Sequence, residues 1–273
     1  MRKVFVSYAN SAMSYSLKRI GKQAESLGIF DEVRLYTPDD LPHYVKGVPE
    51  LSAPRGAGYM IWKPIIIYET IKGLSENDVV VFVDAGCTLR ESSLWSMLFR
   101  LMKKYETVCF QYEKEQPQWA KYGMMDSLEG TMTKKTAIDF LEKRYCHESI
   151  KNVPQIMTGM LFFRNKENEV LNRWKNIAVS YPGLFADPTD EEIKDQYPEF
   201  VVHRHDQSIF TALAYNDPNT LVLPEISEQY TPDAFVYGSR IRAANFVSFL
   251  LVRVKQIARR FLGDKIIDGL KRN

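Results

Sequence analysis

Asp84 closes the most apolar run of the chain, Val79-Val80-Val81-Phe82-Val83, and is followed by Ala85 and Gly86. A carboxylate at the end of a buried strand stands where open α/β sheets bind their ligands. Gly86 leaves room for a ligand or a second stretch of backbone to approach closely. An Asx turn that merely ends the strand would use the same acid. A second cluster, His203-Arg204-His205-Asp206-Gln207, gathers two of the four histidines with an acid, a guanidinium and an amide. In extended backbone His203 and His205 share one face and Arg204 takes the other. A helix that begins at Asp206 sets that acid against its positive end. Capping and surface charge explain part of this cluster, but five hydrogen-bonding side chains in a row exceed what a cap requires.

Two further stretches carry chemistry-bearing residues. Arg55-Gly56-Ala57-Gly58-Tyr59-Met60-Ile61-Trp62-Lys63-Pro64 puts glycines, an Arg and a Lys ahead of a helix start. That arrangement suits phosphate binding, although neither G-x-x-x-x-G-K-[ST] nor G-x-G-x-x-G is present. Thr158-Gly159 interrupts the apolar segment Gln155–Phe163, the mark of a bulge or of a close backbone approach.

The elements that must position these residues read as alternating strands and helices. Val4–Tyr8, Glu32–Tyr36, Val79–Val83, 107–112, Gln155–Arg164 and Thr220–Leu223 have strand character. Met13, Leu17, Ile20, Ala24 and Leu27 recur at helical spacing, with Gly28 where a C-cap would sit. Further helices are expected from Pro64 to Gly73, over about 92–104, 134–145 and 167–179, and from Asp206 onward. Residues 37–58, with four prolines and three glycines, read as a long irregular loop, and 181–200 as an acidic one. The alternation predicts an α/β fold with a mostly parallel sheet flanked by helices. One domain over 1–239 and a helical appendage over 240–273 are expected.

Composition excludes several classes. The 273 residues are 45% hydrophobic and 26% charged, which is globular rather than disordered or low-complexity. A formal net charge of +2 implies no nucleic-acid partner. The charge is unevenly spread. Residues 240–273 hold nine Lys or Arg and two Asp or Glu, net +7, which leaves the rest at −5. Cys87, Cys109 and Cys146 form no C-x-x-C pair, so a disulfide framework and a cysteine zinc site are not expected, and a cytoplasmic setting is. The apolar start, Val4–Val6, is cut by Ser7 and Asn10 and reads as a strand rather than a signal segment.

In chain order, G-Y-M-I-W-K-P at 58–64, V-F-V-D-A-G-C at 81–87, T-G-M-L-F-F at 158–163 and H-R-H-D-Q-S-I-F at 203–210 resemble glycosyltransferases of the GT-A type. The nearest likeness is to bacterial enzymes encoded with surface-polysaccharide and lipopolysaccharide genes, and it spans roughly residues 3–224. The resemblance implies a Rossmann-like sheet and a nucleotide-sugar donor, with a UDP-sugar expected, bound at the strand ends. Donor-binding positions would be Ser7, Tyr8, Gly58, Trp62, Lys63 and Asp84, together with Ala85, Gly86, Thr158, Gly159, His203 and Arg204. Asp206, Gln207 and His205 would be the catalytic residues, since Asp206-Gln207 resembles the D-Q pair beneath the anomeric carbon in retaining enzymes. The acceptor would be a glycan or a lipid-linked glycan.

The chain departs from the family at one point. Asp84 matches the first acid of the D-x-D motif, but Gly86 stands in place of the second, which normally holds Mn²⁺ or Mg²⁺. Hard divalent cations need several oxygen ligands. Either Asp206 and His205 complete a metal site at Asp84, or cations such as Lys63 and Arg204 neutralise the diphosphate. Two rival readings stay open: a metal-dependent hydrolase using His203 and His205 as ligands, and a non-catalytic nucleotide-sugar-binding protein.

The tail carries an expectation of its own. Phe246, Val247, Leu250, Leu251, Val254, Ile257, Ala258, Phe261 and Leu262 recur at three- and four-residue steps. Arg253, Lys255, Arg259, Arg260, Lys271 and Arg272 surround that stripe. Such a helix suits the anionic inner face of the cytoplasmic membrane; a C-terminal helix packed on the domain is the alternative.

Overall fold

The computed structural model describes residues 1–228 and 234–262, with side chains to residue 258. Five short strands rich in Val, Phe and Leu line up in one direction, as expected for segments buried on both faces. They are β1 (Lys3–Tyr8), β2 (Glu32–Tyr36), β3 (Val79–Val83), β5 (Thr107–Gln111) and β7 (Thr220–Pro224). The long strand β6 (Ile156–Arg164) runs the opposite way between β3 and β5, giving the order β2-β1-β3-β6-β5-β7. A small ribbon pairs β4 (Thr88–Leu89) with β8 (Val236–Tyr237).

Alternation along the strands builds a core on each face of the sheet. Val4, Val6, Val80, Phe82, Leu161 and Phe163 face one side. That side is covered by α3 (Trp62–Ile71), α6 (Lys135–Tyr145), α7 (Glu169–Ser180) and α9 (Asp206–Tyr215). Phe5, Val79, Val81, Val83 and Phe162 face the other, under α1 (Ser14–Ser26) and α4 (Leu94–Leu101). Helix α3 is buried around almost its whole circumference, which is why an isoleucine run serves as a helix here rather than as a strand. Short helices α2 (Gly56–Tyr59), α5 (Glu129–Met132) and α8 (Asp190–Lys194) and a C-terminal helix α10 (Phe246–Leu262) complete the chain.

Three segments differ in detail from the sequence reading. The irregular stretch 37–58 carries three 3₁₀ turns, and its Leu41 and Val45 enter the core. The acidic 181–200 segment contains α8, started by a reciprocal cap between Thr189 and Glu192. Residues 240–244 are laced to the body, since Ile241 N donates to Gly86 O and Ser16 N to Ala243 O, so the tail departs near Asn245. The expected tail residues Lys271 and Arg272 lie outside the described residues, as do the side chains of Arg259, Arg260, Phe261 and Leu262.

Candidate active site

Strand order reverses at β1, whose neighbours β2 and β3 follow it in sequence on opposite sides. A crevice beyond the carboxyl ends of β1 and β3 is the expected result. Asp84 stands there, one residue past β3, its amide donating to Gly159 O at 2.9 Å. The turn after it is held from behind by Arg19, whose guanidinium donates to Ala85 O at 3.1 Å, Thr88 Oγ1 at 3.1 Å and Cys87 O. Gly86 O accepts from Ser239 Oγ at 2.9 Å and Ile241 N at 3.0 Å.

Lys63 reaches the same place from the first turn of α3. Its ammonium is 2.6 Å from Asp206 Oδ2 and 3.4 Å from Asp84 Oδ1, and it donates to Thr158 O at 3.2 Å. Thr158 Oγ1 donates to Asp206 Oδ2 at 2.6 Å. The pairing of β6 with β5 slips around Thr158-Gly159: Phe110 faces Met157, yet Val108 faces Phe162. That irregularity brings the Thr158 hydroxyl and carbonyl to the Lys63–Asp206 pair.

The three charged groups differ in access. Lys63 and Asp206 keep 2% of their side-chain surfaces, Asp84 41%. Asp84 is thus the acid a ligand can reach, and Asp206 is an internal anchor. Burial alone would lower the Lys63 pKa; Asp206 and Asp84 outweigh it, and the net direction is upward. Desolvation by the surrounding protein raises Asp84, while Lys63 pulls it back. Two carboxylates around one ammonium leave the triad one negative charge.

The segment before α9 supplies the turn that aims Asp206. His205 has φ +55° and ψ −112°, a costly conformation for a residue with a Cβ. Its Nδ1 donates to Phe185 O at 2.7 Å, and its buried Nε2 has no hydrogen-bond partner, Asp187 lying 4.0 Å away. Burial keeps its pKa below the usual value. His203 is spent on structure: Nδ1 accepts from Lys134 N at 3.3 Å, so Nε2 carries the proton and donates to Leu184 O at 2.9 Å. Burial holds the His203 pKa well down. Arg204 Nε donates to Gln207 Oε1 at 3.1 Å, and Gln207 Nε2 reaches the Tyr112 hydroxyl at 3.5 Å.

Ser7, Tyr8, Gly58 and Trp62, also expected to bind the donor, are buried. Ser7 is buried, its hydroxyl donating to Val83 O at 2.7 Å. Tyr8 stacks on Trp62 with centroids 3.9 Å apart, and Trp62 Nε1 donates to Gly56 O. Gly58 takes φ +95°, and a Cβ there would lie 2.7 Å from Leu51 Cα, so this loop needs glycine to close on itself. Arg19, Tyr112, Ser239 and Arg242 escaped the sequence reading. Arg242 is exposed and its charge is felt at Asp84, yet nothing in its local sequence marks it.

The residues present do not fit a divalent cation. Position 86 offers no carboxylate. The carboxylates of Asp84 and Asp206 already share an ammonium. Both nitrogens of His203 are engaged with backbone. Among the described residues no group of three or more His, Cys, Asp or Glu converges to hold a metal.

No family model and no curated protein matches the chain in sequence. Among solved structures, one similar chain is a glycosyltransferase involved in glycosylation of the major capsid of PBCV-1, with TM-score 0.43, 8% identity and 82% of each chain covered. The galactosyltransferase LgtC, in complex with donor and acceptor sugar analogs, matches with TM-score 0.35 and 12% identity, covering 80% of this chain and 72% of that one. Mannose-6-phosphate isomerase from Helicobacter pylori stands in the same range, with TM-score 0.36 and 9% identity, covering 82% of this chain and 97% of that one. At such scores the likeness assigns no activity, and function rests on the cleft itself.

Proposed function

We propose that the protein is a glycosyltransferase that moves a sugar from a nucleotide-sugar donor to a glycan or lipid-linked glycan acceptor in cell-surface polysaccharide synthesis. One observation carries the reading: Asp84, from the end of β3, and Asp206, from the start of α9, converge on the buried Lys63 at the strand-order reversal. These acids belong to the two motifs that most resemble the GT-A enzymes. In this reading the open Asp84 carboxylate contacts donor hydroxyls. The Asp84–Lys63–Asp206 triad keeps negative charge beneath a sugar whose anomeric carbon becomes positive as the bond to diphosphate breaks. The electron pair of that bond leaves with the diphosphate.

The departing charge is met by guanidinium groups rather than by a metal. Arg242 lies exposed near Asp84, and Arg204 is steadied by Gln207. The Asp206-Gln207 pair favours retention of configuration, which the anomeric signal of the product reads directly. Thermal shift against UDP-, GDP- and CMP-sugars tests the donor premise. One nucleotide class should raise Tm in wild type and fail to do so in Asp84→Asn. A wild-type protein indifferent to every nucleotide sugar would leave the proposal without its substrate.

A further inference from the structure

Helix α10 presents two unlike faces. Phe249, Val252 and Gln256 turn toward the body: Phe249 packs on Tyr15 at 5.2 Å, and Gln256 Nε2 donates to Ser239 O at 2.7 Å. On the helical wheel the opposite arc holds Val247, Leu250, Leu251, Val254 and Ile257, each between 45% and 66% exposed. These five residues of the apolar stripe seen in the sequence therefore face away from the domain. Arg253 borders this arc on one side and Lys255 on the other, and neither makes an ion pair among the described residues. Among the described residues no helix is long and apolar enough to cross a membrane, so a bilayer-bound α10 would lie in the interface.

The charge of Arg253 is felt at Arg19, which lines a cavity of about 490 Å³ between α1 and residues 89–91. Tyr15, Lys18, Arg19, Lys22 and Arg90 line it against one acid, Glu91. Lys18 and Lys22 are exposed and carry no ion pair among the described residues, and Arg19 Nε is buried without a partner. Tyr15 both lines the cavity and touches Phe246 and Phe249, so the basic hollow lies against the start of α10.

We infer that this surface docks on an anionic phospholipid bilayer, with the outer arc of α10 entering the acyl boundary and the α1 cavity taking a phosphate headgroup. Charge complementarity selects this occupant: cations flank the apolar arc and fill the hollow beside it, whereas a second copy would bring like charge onto like charge. The inference stands apart from the chemistry of the cleft.

Full-length protein is sedimented with phosphatidylcholine vesicles, with and without phosphatidylglycerol. Binding is expected only with the anionic lipid, and it should weaken as salt rises. Leu251→Glu/Val254→Glu changes exposed side chains and should abolish binding while Tm stays at the wild-type value. Lys18→Glu/Lys22→Glu should lower partitioning at least ~10-fold, since each basic residue near such a surface adds a comparable increment. Wild-type protein that stays in the supernatant overturns the inference. So does undiminished binding by the α10 variant, or a vesicle-free dimer that the α10 variant converts to monomer.

Discussion

Lys63 sits where β3, β6 and α9 meet, and its pairing with Asp206 is the most deeply buried ion pair among the described residues. A buried ion pair adds little over a well-packed apolar pair, but removing one partner strands the other. Lys63→Met should therefore cost ~3–5 kcal/mol in denaturant unfolding. An unchanged midpoint would show that Asp206 finds another partner. Glu129 is a second buried charge, with no open surface and a pKa pushed up to about 8 by burial. Its Oε1 and Gln155 Oε1 are both buried without partners. A protonated Glu129 would carry a hydrogen that a buried acceptor can take.

A carboxyl whose folded pKa is raised stabilises fully below its unfolded pKa, near 4.5, and loses that contribution as pH rises through the folded value. Wild-type stability should accordingly fall between about pH 5 and 8, by an amount on the order of 3 kcal/mol at pH 7. Glu129→Gln should be more stable than wild type at pH 8, and the gap should close toward pH 4.5. Parallel Tm-against-pH curves for the two proteins would assign Glu129 no such part.

At the scale of elements, the strands and main helices were legible because their residues face cores on both sides of the sheet. Val79–Val83 is apolar throughout, and β6 was readable even to its break at Thr158-Gly159. The 37–58 stretch is the irregular loop expected, but its anchoring was not legible, because Leu41 and Val45, two isolated apolar residues among prolines, give no periodicity. Its closure depends on Gly58. Gly58→Ala should destabilise by at least ~1 kcal/mol, since it meets both a positive φ and the Leu51 backbone. Gly28, with φ +62° and open space around it, is the control, and its alanine variant should lose less. Equal losses would mean that φ alone, not the Leu51 contact, sets the requirement.

For the whole molecule, sequence motifs pick out the two acids, but only the chain path shows how each is placed. Asp84 faces outward and Asp206 inward, a division no local pattern contains. Arg19 and Arg242 gain their roles from segments distant in sequence that fold against the turn after Asp84. The same folding brings the 240–241 backbone beside Gly86, at ordinary contact distance from where a Cβ would stand.

The measurement that bears most directly on this account follows nucleoside diphosphate release from the donor identified by thermal shift, by NMR, with and without EDTA. Wild type should turn the donor over at an undiminished rate in chelator, and the sugar product should keep its anomeric configuration. Asp84→Asn, folded and with near-native Tm, should be slower by at least ~10²-fold. Turnover that needs added Mn²⁺ or Mg²⁺ would contradict the metal-free charge balance, and wild-type turnover by Asp84→Asn would contradict the site itself.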